Sequence, residues 1–137
     1  MKLELSDHVE LNVDPQTAWE FVSDFGGFAS WQPHIASVEM QADGSRKVNF
    51  TRGDSVFDRV TASDDANHSL TYSIVPGQGG PLASMEATFS VSGGPDRSKV
   101  DYTIVVEIPD EMEGPARAGI SADIEGALQG LAEKFPE

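Results

Sequence analysis

Cysteine is absent from this 137-residue sequence. Its absence excludes disulfide bridges, thiolate metal sites and cysteine nucleophiles. A chain without cysteine suits a reducing compartment, so we expect a cytoplasmic location. The length fits one domain, expected to span 1–137, and such a chain buries roughly two thirds of its unfolded surface without covalent cross-links.

Basic residues are scarce. Lysine and arginine together number nine, against 23 aspartates and glutamates, which gives a net charge of −14. A surface of this charge repels nucleic-acid backbones and anionic bilayers, and no cluster of basic residues offers a local exception. Solubility alone accounts for the charge, and a basic protein partner is the remaining alternative.

Long apolar runs are missing as well. The N-terminal segment "MKLELSDHVE" alternates charged and apolar residues, so we expect neither a signal peptide nor a membrane span. The three histidines, His8, His34 and His68, lack the spacing of metal ligands. We therefore predict no metal site and no cofactor.

The sequence does contain clear periodicity. In "KLELSDHVELNV" the apolar residues fall on one face, which predicts a half-buried strand. Asp14 suits the N-cap of a following helix, and Pro15 suits its first position. Gly26 and Gly27 end that helix, and "FASWQP" adds one further turn before Pro33.

From residue 34 onward apolar residues recur at every second position, with turn sequences between the runs. The pattern predicts six further strands, near 34–42, 45–52, 55–64, 69–76, 82–92 and 98–108. Their short connections imply antiparallel neighbours. After "IPDEMEGP" an apolar stripe predicts a C-terminal helix of about five turns. The stripe consists of Ile120, Ile124, Leu128, Leu131 and Phe135.

The order of the elements limits the fold class to α+β. An antiparallel sheet of this length must cover its apolar face, and the last helix alone is long enough to do so. We therefore expect a seven-stranded antiparallel sheet that curves around the long C-terminal helix. Two short helices are expected between strands 1 and 2.

This arrangement and several segments resemble a known family. The segments "AWEFVSDFGGFASWQPHIASVE", "FDRVTASDD", "LTYSIV" and "EATFSV" resemble the SRPBCC superfamily (Bet v 1-like, START-like), specifically its polyketide cyclase/dehydrase and lipid-transport branch. The resemblance covers nearly the whole chain and implies the helix-grip fold, with a cavity between sheet and C-terminal helix. Asp58 stands where the family usually has glutamate, and Met85 where many members have an aromatic residue.

Asp58 is the most informative candidate residue, because strand parity places its carboxylate among apolar neighbours. A lone buried carboxylate is costly unless it is paired or protonated. Two interpretations stay open. The resemblance implies that Asp58 anchors or deprotonates a ligand, whereas parity also allows an ion pair with Arg46 or Arg52.

Further candidates come from strand parity and from the resemblance. Tyr72 and Tyr102 lie on apolar strand faces, where a hydroxyl orients a ligand or serves the core. His34 titrates near neutral pH and is either an acid or base or a rim residue. With Asp58 and His34 as catalytic candidates, the predicted ligand-binding set is Trp31, Phe50, Tyr72, Met85, Tyr102, Ile120 and Ile124.

Two glycine-bearing features add hypotheses about the cavity. Gly119, Gly126 and Gly130 lie along one stripe of the C-terminal helix, and each costs roughly 1 kcal/mol against alanine. Either they leave room for a ligand or they serve helix–sheet packing. The segment "PGQGGP" is either a loop over the pocket mouth or an ordinary hairpin turn. Trp31 and its aromatic neighbours either wall the cavity or plug the core.

Three functions fit the sequence. The first is binding of a small, mostly hydrophobic molecule between sheet and helix, as a carrier or sensor. The second is a cofactor-free cyclase or dehydratase that acts on a polyketide-like substrate, with Asp58 moving a proton. The third is a protein-interaction module of the chaperone-regulator kind, which would use the acidic surface.

Overall fold

An antiparallel sheet of seven strands frames the molecule in the computed structural model, which describes residues 1–75, 77 and 84–135. Its strands are β1 (Lys2–Leu11), β2 (Ile35–Met40), β3 (Arg46–Phe50), β4 (Ser55–Asp64), β5 (Ser69–Ile74), β6 (Ser84–Gly93) and β7 (Ser98–Glu107). They lie in the order β1-β7-β6-β5-β4-β3-β2. The predicted α+β fold with a seven-stranded antiparallel sheet is therefore confirmed. The observed strand ends differ from the predicted ones by one or two residues.

The first helix begins where the sequence predicts it. In α1 (Pro15–Val22) the Asp14 carboxylate accepts a hydrogen bond from the Thr17 backbone N–H at 3.0 Å and another from the Thr17 hydroxyl at 2.6 Å. These hydrogen bonds lower the pKa of Asp14, which keeps the cap charged. A 3-10 helix over Phe25–Ser30 follows and is the second of the two predicted short helices.

The C-terminal helix is longer than predicted and packs unevenly. A short 3-10 turn over Asp110–Met112 leads into α2 (Glu113–Lys134), whose 22 residues make about six turns. Fully buried positions begin only at Ile124, and the first three turns are exposed or half-buried. The C-terminal half of α2 is thus buried in the core, while in its N-terminal half Ala116 and Ile120 are only partly buried against it.

The aromatic segment "DFGGFASWQP" closes one end of the core. Phe28 is fully buried, and its ring centroid lies 5.2 Å from that of Trp31 and 5.7 Å from that of Phe89. The Trp31 ring lies 5.6 Å from Phe89. Edge-to-face contacts of this kind add about 0.5–1.5 kcal/mol each beyond the burial of area. The segment thus packs into the core, and its predicted contact with a ligand stays a prediction.

Some expectations fall outside what the structure describes. Apart from Gly77, the segment "PGQGGP" lies outside the described residues, as does the predicted start of a strand at 82. Within the described part of the chain, no helix is long and apolar enough to cross a membrane.

The glycine stripe of α2 has two different causes. A Cβ atom at Gly130 would lie 1.8 Å from the carbonyl oxygen of Trp31, and one at Gly126 would lie 3.4 Å from the Pro33 ring. At Gly119 a Cβ atom would meet nothing within 4 Å. Gly130 therefore lets the helix approach the Trp31 backbone closely, and the hypothesis that the three glycines make room for a ligand stays a prediction.

This difference predicts opposite effects of one substitution at two positions. Gly130→Ala should lower the free energy of unfolding by roughly 1–3 kcal/mol, because backbone must shift to relieve the clash. Gly119→Ala should raise it by up to about 1 kcal/mol, because alanine is the better helix former. Urea unfolding of both variants measures this, and equal effects at the two positions would contradict the packing described.

Candidate functional site

A cavity of about 90 Å³ lies between the sheet and α2; we call it the inner cavity. Strands β3, β4, β5, β6 and β7 supply most of its wall, and the 32–35 segment, the β3–β4 turn and α2 supply the rest. Its polar wall residues are Gln32, His34, Arg46, Arg52, Asp58, Tyr72, Tyr102 and Asp123. The space equals that of about three water molecules in the liquid.

Arg46 and Asp58 form a buried ion pair in this wall. They lie opposite each other in the β3–β4 register. Arg46 donates from Nε to Asp58 Oδ1 at 2.7 Å and from Nη2 to Oδ2 at 3.2 Å. Its Nη1 donates to the Phe25 carbonyl at 2.5 Å. Of the two possible arginine partners of Asp58, the structure shows Arg46. Asp58 also lines the inner cavity.

The protonation of Asp58 depends on two opposing effects. Burial raises the pKa of Asp58, and the hydrogen bonds and positive charge of Arg46 lower it. The guanidinium carbon also lies 3.6 Å from the ring centroid of Phe25 and 4.3 Å from that of Phe28, within range of cation–π attraction to both rings. Because Arg46 occupies both oxygens of the carboxylate, Asp58 is a poor free base and acts first as the partner that keeps Arg46 in place.

The hydroxyl groups of Tyr72 and Tyr102 form a hydrogen bond at the cavity wall, with their oxygen atoms 2.6 Å apart. Tyr102 also stacks on Phe89, with ring centroids 3.9 Å apart. Burial raises the pKa of Tyr72 to about 12 and the pKa of Tyr102 well above 10. Both hydroxyls therefore stay neutral at physiological pH and offer hydrogen bonds without charge.

His34, Arg52 and Asp123 form the mouth of the inner cavity. Arg52 Nη1 lies 3.9 Å from Asp123 Oδ2, and Arg52 Nε bonds Asp54 Oδ1 at 2.7 Å. Burial lowers the pKa of His34, which the Asp123 carboxylate opposes and the Arg52 charge reinforces. Burial raises the pKa of Asp123, which His34 and Arg52 oppose. The mouth thus places an imidazole with a lowered pKa near a carboxyl group with a raised one.

A second hollow of about 330 Å³ adjoins this mouth; we call it the outer groove. It is lined mainly by apolar residues of the β7–α2 connection and the first turns of α2. Arg52 and Asp123 line both hollows, so the groove and the inner cavity are neighbours that share these two residues. The full lining is Arg52, Ile108, Pro109, Met112, Pro115, Ala116, Gly119, Ile120 and Asp123.

The structure brings most of the predicted site residues together. Six of them line the inner cavity: His34, Phe50, Asp58, Tyr72, Met85 and Tyr102. Ile120 lines the outer groove. Trp31 and Ile124 lie in the core, 4% and 3% exposed, and neither lines the cavity or the groove. Their predicted contact with a ligand stays a prediction that this geometry does not favour.

Sequence reasoning missed Asp123 and Gln32. Asp123 lies about one helical turn after Gly119 and Ile120, so the spacing that marked Ile120 could have indicated it. Gln32 lies between Trp31 and Pro33 in irregular backbone, where neither strand nor helix periodicity applies. No pattern in the sequence marks its side chain as buried.

The architecture is that of the helix-grip proteins, and comparison with known proteins agrees. The family model described as polyketide cyclase / dehydrase and lipid transport matches residues 2–136. The chain belongs to this family. Among curated proteins, no sequence matches it.

Solved structures share this fold at low sequence identity. XoxI from Bacillus cereus superimposes with a TM-score of 0.86 at 20% identity, covering 96% of this chain and 94% of that one. The Zhui aromatase/cyclase from Streptomyces sp. R1128 gives 0.85 at 14% identity, covering 98% and 93%. A START superfamily protein from Mycobacterium smegmatis gives 0.74 at 20% identity, covering 96% and 97%. At this level of identity the similarities establish the fold alone. Inference about a ligand therefore depends on the geometry of the site.

The buried ion pair predicts strong coupling between its partners. Arg46→Met should lower the free energy of unfolding by about 3–5 kcal/mol, because it leaves the Asp58 carboxylate buried without a partner. The double variant Arg46→Met/Asp58→Leu should recover most of that loss. Urea unfolding of both variants tests the cycle.

The matched control for the ion pair is Arg52→Met. Arg52 and Asp54 are about half exposed, so losing their ion pair should cost at most about 1 kcal/mol. A double variant as unstable as Arg46→Met would contradict the coupling.

The mouth predicts two opposite shifts for one histidine. In an NMR titration the pKa of His34 should lie below 6.5, and Asp123→Asn should lower it further because the carboxylate favours the imidazolium. Arg52→Gln should raise it, since a positive neighbour is removed. Because the folded pKa is depressed, the His34 contribution to stability is complete above 6.5 and is lost as pH falls through the folded value. Shifts of the same sign in both variants would contradict this geometry.

Proposed function

We propose that the protein binds a small, mostly hydrophobic molecule across the outer groove and the inner cavity. The observation that carries this proposal is that the two hollows share Arg52 and Asp123. An apolar groove that ends on a few convergent polar groups is the usual form of a small-molecule site.

The sizes of the hollows divide the ligand into two parts. The inner cavity, at about 90 Å³, accepts a single polar group or a small fragment. The groove, at about 330 Å³, falls in the range of roughly 300–1,000 Å³ typical of small-molecule sites and accepts an apolar body. Ile108, Met112 and Ile120 would contact that body, while the polar end would meet the groups around the mouth.

Family membership supports this proposal in general terms. The family description names lipid transport beside polyketide cyclase and dehydrase activity, and each of these begins with binding of a small organic molecule. The aromatase/cyclase with the same fold is a precedent for chemistry on such a scaffold. Binding is the part that all of these activities share.

A cofactor-free cyclase or dehydratase is the second candidate function, favoured by the mouth. His34 Nδ1 is buried and has no hydrogen-bond partner within residues 1–75, 77 and 84–135. A neutral imidazole so placed can take a proton from a carbon next to a carbonyl, which gives an enolate and an imidazolium. Asp123 would stabilise the imidazolium, and the Tyr72–Tyr102 pair would donate to the enolate oxygen.

If the ligand binds in the outer groove, an aromatic side chain introduced into the groove should abolish binding. Gly119→Phe should fill the outer groove, since nothing lies within 4 Å of a Cβ atom there. With acetophenone as probe, NMR titration of the wild type should shift the signals of Ile120, Asp123 and Met85, and the variant should lose these shifts.

The matched control is Gly114→Phe, the same change in the first turn of α2 at an exposed residue outside the groove. It should bind the probe like the wild type. Probe shifts confined to other surfaces, or unaffected by Gly119→Phe, would overturn the proposed site. For the second candidate, His34→Gln should retain the probe and lose turnover of a polyketide-like substrate.

A further inference from the structure

Gln32 carries a buried amide that the fold does not use. The residue is 1% exposed, and its Nε2 atom has no hydrogen-bond partner among the residues that the structure describes. An amide donor buried without a partner destabilises a folded protein. A glutamine at this position therefore needs a compensating role outside the fold's own hydrogen bonds.

The backbone holds Gln32 firmly at the cavity wall. Its N–H donates to the Phe28 carbonyl at 2.9 Å, and its own carbonyl accepts from the Ile35 N–H at 3.1 Å. Pro33 follows and fixes the backbone further. Gln32 is among the residues that line the inner cavity and also among those that line a surface depression beside Gly126 and Gln129, which we call the rear groove.

The tyrosine pair supplies a second donor to the same cavity. Tyr72 and Tyr102 have one hydroxyl proton each, and their 2.6 Å contact uses one of the two. The hydroxyl that accepts this hydrogen bond keeps its own proton free to donate. Both residues line the inner cavity with Gln32. The cavity therefore presents at least two kinds of donor, amide N–H and phenolic O–H.

The charges around the inner cavity cancel. Arg46 is paired with Asp58, and Arg52 lies between Asp54 and Asp123. Among the described residues that line the cavity, each guanidinium is thus matched by a carboxylate. With a net charge of −14 on the whole chain, the cavity offers a ligand carboxylate no surplus cation.

We propose that Gln32 is the specificity-determining residue of this site, whose amide N–H binds a neutral hydrogen-bond acceptor such as a ligand carbonyl. The assignment rests on the proposed function, because it requires a ligand in the inner cavity. The carbonyl oxygen accepts from Gln32 and from the free tyrosine hydroxyl, and the apolar remainder of the ligand lies toward the groove. A hydrocarbon ligand would leave both donors without an acceptor. A ligand carboxylate would find each described guanidinium of the cavity already matched by a carboxylate.

Three probes of nearly equal size test this assignment: acetophenone, ethylbenzene and benzoate. In NMR titrations the wild type should bind acetophenone more tightly than either of the others. Gln32→Met keeps the length of the side chain and removes the donor. This substitution should lower the affinity for acetophenone by about tenfold, as expected for a lost buried hydrogen bond. It should change the affinity for ethylbenzene by no more than about twofold.

Thermal unfolding separates a binding role from a structural one. If Gln32 serves a ligand, Gln32→Met should keep or raise the Tm of the free protein, because an unpartnered amide is removed. A lower Tm together with an unchanged ratio of acetophenone to ethylbenzene affinity would overturn the assignment.

Gln129→Met is the matched control, since Gln129 is exposed and lines the rear groove but not the inner cavity. It should change neither affinity. If none of the three probes binds the wild type at the cavity, the proposed function fails and this assignment with it. If the probes bind there without preference for the ketone, the assignment alone fails.

Discussion

The ion pair of Arg46 and Asp58 is the constraint on which the arrangement of the site depends. Two charges removed from water are stable only when their hydrogen-bonding groups are satisfied, and here each nitrogen of the guanidinium meets an oxygen. Because one of these oxygens is the carbonyl of Phe25, the pair also ties β3 and β4 to the aromatic 3-10 helix. The aromatic segment and the cavity wall are thus set by the same guanidinium.

Much of the fold could be predicted because strands and helices impose regular periods on the sequence. Parity placed Asp58, Tyr72 and Met85 on the inner face correctly, since a strand alternates its side chains strictly. Parity has no meaning in the irregular 24–34 segment, so Trp31 was left open and Gln32 was missed. Ile120 lines the outer groove whereas Ile124 is buried in the core, a difference that depends on how α2 packs and that no local pattern encodes. The sizes of the two hollows likewise depend on long-range packing.

The low identity of the structural relatives fits this division between pattern and detail. At 14–20% identity the alternation of apolar residues and the position of the long helix are enough to retain the fold. The groups at the cavity mouth are individual side chains, and such groups change without cost to the architecture. An activity named for one relative therefore says little about another. Function has to be inferred from the donors, acceptors and charges of each protein's own site.

The close contact of Gly130 with the Trp31 carbonyl fixes α2 near its C-terminal end, whereas its first turns are exposed or half-buried. At 1.5 Å per residue, about 25 Å of helix extends from that contact to Glu113. The core holds α2 from Ile124 onward, so the residues of the helix that line the outer groove lie on its less buried half. Segments with few buried apolar contacts open at lower free energy than the core, and the entrance of the site is therefore built on the least constrained part of α2.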